Sequence, residues 1–224
     1  MRVRPLPLLL RDDRMLAVDK PAGLASVPDP RAPGRSVPEL LAALGLEASA
    51  VHRLDREVSG VLLLALDDEA LRALQDLFRA RAVRKVYWAL AAGHLEPREG
   101  EFAFPILEEP GGARVSARGK AARTRYHTLA RHAAASELEL TLLTGRKNQI
   151  RVHLAHAGHP LVGERKYARG KDAVLPFRSR RVALHAWRLA FVVPWTGKKL
   201  TLEAPLPADL LELRERARRA VRDR

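Results

Sequence analysis

The chain has 224 residues, 47% of them hydrophobic, which suits a folded protein with a sizeable core and excludes general disorder. It contains no cysteine, which excludes disulfide bonds, thiolate nucleophiles and cysteine-ligated metal centres. Forty basic residues against 26 acidic ones give a formal net charge of +14. Thirty-two of the basic residues are arginine, the side chain best shaped for bidentate phosphate contacts, so nucleic acid is the first candidate partner.

Nothing in the sequence indicates a membrane or secreted protein. No apolar run approaches the roughly 18–20 residues that cross a bilayer. The opening residues contain one short leucine run and no small-residue cleavage site, so we read no signal peptide. We therefore expect a cytoplasmic protein without a membrane partner.

In the first half of the chain, apolar periodicity and capping residues predict two strands and two helices. In chain order these are a strand from Met15 to Asp19, a helix capped by Ser36 and ending near Gly45, a buried strand from Val61 to Leu66, and a helix after Asp67.

From Lys85 the period changes to two residues, which predicts strands. One predicted strand begins at Lys85, and five more extend over Glu101 to Leu107, Lys120 to Leu129, Glu137 to Leu142, His185 to Val193 and Leu200 to Glu203. A short helix from Gln149 to Ala157 has Asn148 as its N-cap, and a last helix follows Pro207, while residues 163–181 are expected to be a basic loop. Because strands and helices do not alternate strictly and no linker is visible, we predict one α+β domain over residues 1–224.

The stretch from Ala50 to Leu66 carries the strongest candidate for chemistry. It places Asp55 between Arg53 and Arg56, with His52 just before, in a polar turn that leads into a buried strand. Such a turn can hold a reactive carboxylate rigidly, although an exposed ion pair is the simpler interpretation. A lone aspartate acts as a nucleophile if it is ionised, and an adjacent arginine lowers the pKa of a carboxyl group by roughly 1–3 units.

Other segments offer partners for this carboxylate. Arg146, in a loop, and Arg151, one turn into the predicted helix, are candidate cations. Tyr87 offers an aromatic face for a base, although ordinary packing within a sheet is the favoured interpretation of this residue taken alone. The spacing His153-x-x-His156-x-x-His159 favours structural or RNA-facing histidines over a metal site, because no carboxylate lies among the three and His159 falls beyond Gly158.

Five segments of the chain resemble the motifs of the RluA family of pseudouridine synthases. HRLD followed by SG and an apolar strand is similar to the family's catalytic motif. The other four, in family order, are LAVDKPAGL from Leu16, RKVYWALAAG from Arg84, GRKNQIRVHLAHAGHPLVG from Gly145, and ALHAWRLAFVVPWTG from Ala183. The resemblance covers nearly the whole chain.

The resemblance implies a fold with a mixed, mainly antiparallel central sheet, flanking helices and a basic active-site cleft. It implies isomerisation of uridine to pseudouridine in ribosomal or transfer RNA stem-loops by a monomer, without DNA, cofactor or metal. Asp55 would attack either the ribose C1′ or the uracil C6, and Arg151 would pair with Asp55. Tyr87 would stack on the uracil, and Arg53 would fill the space that the flipped nucleotide leaves. His52 and Arg146 would contact the RNA.

The chain departs from the family pattern at several positions. Val58 replaces a threonine, Lys147-Asn148 replaces Thr-His, and Glu164 stands where aspartate is common. Because the first motif begins at Leu16, we expect no S4 RNA-binding domain ahead of it, although many relatives carry that small domain there. A non-catalytic RNA-binding or ribosome-associated protein of the same fold is the alternative. A hydrolytic nucleosidase is a third reading, but we find no residue to activate water for it.

Overall fold

The structure is a computed structural model that describes residues 6–30, 32–168 and 178–220. The chain forms two compact units. The first unit comprises Met1–Lys85 and Ala186–Pro205, and the second comprises Val86–His185 and Leu206–Arg224. Both units combine antiparallel strand pairs with helices, so the predicted α+β class with a mainly antiparallel sheet is confirmed.

The described residues form strands and helices in the following chain order. They are β1 (Leu8–Arg11), β2 (Met15–Lys20), α1 (Val37–Ala42), β3 (Ser49–Ala50), β4 (Ser59–Ala65), α2 (Asp68–Arg79), β5 (Arg84–Ala92), β6 (Glu99–Phe102), β7 (Ile106–Glu109), β8 (Gly112–Val115), β9 (Thr124–Arg131), β10 (Ala135–Leu142), α3 (Gln149–His156), β11 (Leu184–Val192), β12 (Lys199–Glu203) and α4 (Ala208–Arg219).

In the first unit, the strand order is β1, β2, β4 and β11, with β3 beside β4 and β12 beside β11. Every residue of β4 is buried, as its apolar run predicts for a central strand. Val61 and Leu63 pack with α2, whereas Leu62 and Leu64 pack on the opposite face with α1. Because both faces of β4 are covered, the strand is a rigid support for the turn that precedes it.

The glycine of the SG pair is required by its backbone and its surroundings. Gly60 has φ +118°, a backbone conformation that residues with a Cβ rarely adopt. A Cβ at this position would lie 2.2 Å from the carbonyl oxygen of Ala186 in β11. Strand β4 begins at Ser59, two residues before the predicted start at Val61. The reason is that Gly60 already pairs with Lys20 of β2.

The predicted caps of the first two helices are confirmed. The Ser36 side chain accepts the Glu39 N–H, and the Glu39 carboxylate accepts the Ser36 N–H at 3.0 Å, which makes a capping box. The Asp67 carboxylate accepts the Ala70 N–H at 2.7 Å at the start of α2.

In the second unit, the strand order is β5, β10, β9 and β6, and β7 pairs with β8 as a separate hairpin. The predicted single strand from Glu101 to Leu107 is wrong, since β6 ends at Phe102 and β7 begins at Ile106. Pro105 lies between them and has no N–H for a strand ladder. Strand β8 is not among the predicted strands, and β9 begins at Thr124 rather than at the predicted Lys120.

The last helix is attached to the second unit by charged groups. Arg181 donates to both oxygens of Asp209, at 2.6 and 3.1 Å. The buried carboxylate of Glu137 accepts a hydrogen bond from Trp88 at 2.9 Å and lies 3.8 Å from Arg214 of α4. Residues 169–177 of the predicted basic loop lie outside the described residues. Across the described ranges, no helix is both long and apolar enough to cross a membrane.

Candidate active site

The turn that carries Asp55 precedes β4 in the first unit. Leu54 and Val58 are buried beneath the turn, while Arg53 is exposed and Asp55 is half-buried. The Val58 N–H donates to the Asp55 carbonyl at 3.0 Å, which closes the turn. The buried side chains and this hydrogen bond therefore fix the backbone of the turn at Asp55.

A second loop, from Lys20 to Ser26, holds this turn in place. The buried Ser26 hydroxyl donates to the Leu54 carbonyl at 3.0 Å and accepts the Leu54 N–H at 2.9 Å. The Gly23 N–H donates to the Arg56 carbonyl at 2.7 Å, and Arg56 Nε donates to the Gly23 carbonyl at 2.8 Å. Asp55 thus lies between two residues whose backbones are bonded to the same neighbouring loop.

Lys20 is a buried cation within this arrangement. Its side chain is fully buried, and its ammonium group donates to the carbonyls of Leu24 at 2.8 Å, Pro21 at 3.0 Å and Arg56 at 3.5 Å. A buried charge is tolerated only when such hydrogen bonds replace water. Sequence reasoning did not single out Lys20, although a lysine at the end of an apolar strand and before Pro-Ala-Gly was the available signal.

His52 is engaged inside the first unit. Its Nε2 accepts the Leu63 N–H of β4 at 3.1 Å, and its ring stacks on Phe78 of α2 with a centroid distance of 4.8 Å. Burial, with a smaller contribution from the charge of Lys85, lowers the pKa of His52 to about 3. The imidazole is therefore neutral at physiological pH, and these contacts give it a structural role. The predicted RNA contact of His52 stays a prediction.

In the second unit, Gln149 organises the loop before α3. Its buried amide donates to the Arg123 carbonyl at 3.0 Å and to Thr124 Oγ1 at 2.9 Å. Its oxygen accepts from Thr144 Oγ1 at 2.7 Å and from the Arg146 N–H at 3.0 Å. The half-buried Arg146 also donates from Nε to the carbonyl of Ala121 at 3.2 Å. The loop that presents Arg146 is thus held by a fully bonded amide.

Asn148 precedes α3, as predicted, but its side chain makes no capping hydrogen bond. Its φ of +54° is a left-handed conformation that asparagine tolerates better than most residues. The Asn148 Oδ1 instead accepts the hydroxyl of Tyr167 at 2.9 Å. At this position, where the chain departs from the family pattern, Asn148 therefore fits the left-handed backbone and accepts a hydrogen bond from Tyr167.

Arg151 is buried in α3 and forms a fork with Glu164. Its Nε and Nη2 donate to the two Glu164 oxygens at 2.7 and 2.9 Å. The guanidinium group also lies 5.3 Å from the centre of the Tyr167 ring. Tyr87 is half-buried on β5, next to the fully packed Trp88. The residues predicted in the second unit thus comprise two arginines in bonded networks and one half-buried aromatic ring.

The histidines of α3 and the loop after it are also engaged. His153 is fully buried, with Nδ1 at 3.0 Å from Thr124 Oγ1 and Nε2 at 2.9 Å from the Phe104 carbonyl. Because a carbonyl only accepts, Nε2 carries the proton and Nδ1 accepts the threonine hydroxyl. His159 Nδ1 lies 3.0 Å from the carbonyl of Ala92. Both ring nitrogens of His153 thus hold structural hydrogen bonds.

Comparison with known proteins points to one kind of enzyme. Residues 14–156 match the family described as RNA pseudouridylate synthase. The ribosomal large subunit pseudouridine synthase D of Nitrosomonas europaea is 39% identical over 93% of this chain and 64% of its own length. The dual-specificity RNA pseudouridine synthase RluA of Pasteurella multocida is 37% identical over 89% of this chain and 93% of its own length.

The structural comparison agrees with the sequence comparison. The human RNA pseudouridylate synthase domain containing 4 superimposes with a TM-score of 0.79 at 27% identity, covering 95% of this chain and 93% of that protein. The chain spans less than two thirds of the Nitrosomonas relative, at 64% of its length. The matched range 14–156 includes Asp55, Tyr87 and Arg151.

Proposed function

Because the chain belongs to the RNA pseudouridylate synthase family, we propose that it isomerises uridine to pseudouridine in structured RNA. The reaction breaks the bond between uracil N1 and ribose C1′, rotates the base, and joins C5 to C1′. The proton on C5 is lost and N1 gains one, so no atom enters or leaves overall. The observation that carries this proposal is the family match over the segments that contain Asp55, Tyr87 and Arg151.

Asp55 is the proposed nucleophile, attacking either C1′ of the ribose or C6 of the uracil. Its suitability rests on the turn around it, whose backbone is hydrogen-bonded to the Lys20–Ser26 loop and in which Asp55 is half-buried. A nucleophile held in one geometry gains the rate advantage of a prearranged encounter. Arg151 is the proposed partner that keeps the Asp55 carboxylate ionised.

The other predicted residues are assigned to the RNA. Tyr87 stacks on the target uracil and takes part in the final removal of the C5 proton. The exposed Arg53 occupies the space that the flipped nucleotide leaves, which offsets part of the unstacking cost of a few kcal/mol. Arg146 contacts the RNA backbone near the cleft. His52 is assigned to the RNA only through its position in the turn, since its Nε2 is bonded to β4.

The substrate is an RNA stem-loop, and the net charge of +14 supports binding to a polyanion. One relative is named for the ribosomal large subunit, which makes ribosomal RNA a candidate substrate, and transfer RNA is the second candidate that the family resemblance implies. We propose that residues 1–224 act as one catalytic domain, as a cytoplasmic monomer, without cofactor or metal.

The test is an activity assay on RNA that lacks the modification. The purified chain is incubated with total RNA from a strain in which its gene is deleted, and pseudouridines are mapped along ribosomal and transfer RNA. The proposal predicts new pseudouridine at one or a few stem-loop positions. A chain that binds these RNAs tightly and forms no pseudouridine would instead support the non-catalytic RNA-binding alternative.

A further inference from the structure

Glu164 is the most completely bonded carboxylate near the predicted site residues of the second unit. Its side chain is closed off from solvent, and its two oxygens accept four hydrogen bonds. Two come from Arg151, from Nε at 2.7 Å and from Nη2 at 2.9 Å. The other two come from the backbone N–H groups of Lys166 at 2.8 Å and Tyr167 at 3.2 Å.

The backbone that holds Glu164 is itself constrained. The Glu164 N–H donates to the Leu161 carbonyl at 2.9 Å. Gly163, just before it, has φ +82°, and a Cβ there would lie 2.1 Å from the carbonyl oxygen of Arg181. Because this turn accepts only glycine at position 163, the backbone that carries Glu164 is held in one conformation.

The fork determines the orientation of the Arg151 guanidinium group. A bidentate contact through Nε and Nη2 fixes both the position and the plane of that group. A carboxylate that approaches Arg151 from another direction would meet the edge that carries Nη1. Burial opposes ionisation of Glu164, but the hydrogen bonds and charge of Arg151, with the two backbone N–H groups, outweigh it and hold the pKa of Glu164 below its usual value.

We propose that Glu164 is a positioning residue that orients Arg151 for its action on the reacting carboxylate. This inference rests on the proposed function, in which Arg151 assists Asp55. The competing explanation is a buried ion pair that only stabilises the second unit. The two explanations differ in what happens to the chemical step when the protein remains folded.

The test compares E164Q and E164D with the wild type in steady-state assays across pH. E164Q keeps the shape of the side chain but offers an N–H to Arg151, so the fork is lost. We expect kcat to fall by about 10²-fold, the loss typical of a misplaced group, while the KM for RNA stays within about threefold. E164D keeps a carboxylate at a position where aspartate is common in the family, so we expect it to retain most of the wild-type kcat and the wild-type acid limb.

The acid side of the pH–rate profile separates orientation from simple charge. Removing the negative charge of Glu164 would by itself help a nearby carboxylate to ionise, which moves the acid limb to lower pH. Loss of the Arg151 orientation has the opposite effect and moves the limb to higher pH. We therefore expect the acid limb of E164Q to shift upward, and an unmoved or downward-shifted limb would overturn the proposal.

The matched control is D209N, which breaks the bidentate Arg181–Asp209 pair of the same unit. It should keep the wild-type kcat and acid limb. If E164Q does not fold, R151K decides, because lysine keeps the positive charge but cannot make the two parallel hydrogen bonds to Glu164, and a folded R151K with the kcat of the wild type would overturn the proposal. A wild-type chain that forms no pseudouridine refutes the proposed function, whereas an active wild type with an equally active E164Q refutes only the role of Glu164.

Discussion

Acidification should destabilise the first unit through His52. The neutral ring accepts the Leu63 N–H and stacks on Phe78, and burial lowers its pKa to about 3. An unfolded histidine has a pKa near 6.5, so below that pH the unfolded chain binds a proton that the folded chain excludes. Stability contributed by neutral His52 is complete above pH 6.5 and is lost progressively as the pH falls toward 3.

The magnitude follows from these two pKa values. Between pH 7.5 and pH 5, a shift of this size lowers the free energy of unfolding by about 2 kcal/mol. Since the ring is half-buried rather than sealed from water, we expect about 1–2 kcal/mol. The effect is large enough to measure by urea denaturation, because it is a sizeable part of the total stability of a domain.

The assay compares the wild type with H52Q at both pH values. A glutamine oxygen can accept the Leu63 N–H in place of Nε2, and it does not titrate. The difference in unfolding free energy between the two proteins should therefore shrink by about 1–2 kcal/mol from pH 7.5 to pH 5. H127Q, which changes an exposed histidine of β9, serves as the control and should keep the pH dependence of the wild type. A difference between wild type and H52Q that is equal at both pH values would refute the reasoning.

Two further substitutions test the support of the Asp55 turn. G60A should lower the free energy of unfolding by about 3 kcal/mol or more, because the new Cβ is strained by the positive φ and clashes with Ala186. Gly45 also has a positive φ, of +77°, but open space around it, so G45A should lower the free energy of unfolding by only about 1 kcal/mol. K20M should lower the free energy of unfolding by about 2–4 kcal/mol, because it leaves buried carbonyl groups without a hydrogen-bond donor. Its control, K198M at an exposed lysine, should not change that free energy measurably. Both pairs of variants are compared by denaturant unfolding, and equal costs within a pair would contradict the account.

The parts of the fold that the sequence predicted well are those with local causes. The apolar run of β4, the capping box at Ser36 and the cap at Asp67 each depend on residues within one segment. A short-range pattern is enough to specify them. The turn at Asp55 belongs to this group, because its glycine and the strand behind it follow directly in the chain.

The parts that the sequence did not predict depend on distant contacts. From the sequence alone, Lys20 is expected to be a solvated residue at the start of a loop. The structure instead places its ammonium group among the carbonyl groups of Leu24 and Arg56. Glu164 was visible only as a departure from aspartate, and its fork with Arg151 joins residues 13 positions apart across a turn. No periodicity records such pairings, since they arise only when separate segments pack together.

Strand β8 shows a different limit. Its sequence, Gly112 to Val115, is short and begins with glycine, so propensity favours a turn. The structure makes it a strand because it pairs with β7, and the hairpin buries Ile106 and Ala113 in a cluster with Val152 of α3. Tertiary packing therefore overrides local preference at this position.

The central claim is that Asp55 is the nucleophile, and D55N tests it most directly. Asparagine keeps the size of the side chain but removes the charge that a nucleophile needs. The account predicts that D55N forms no detectable pseudouridine, while its affinity for the same RNA stays within about threefold and the exposed D13N behaves as the wild type. Pseudouridine formation by D55N at a rate comparable with that of the wild type would contradict the account.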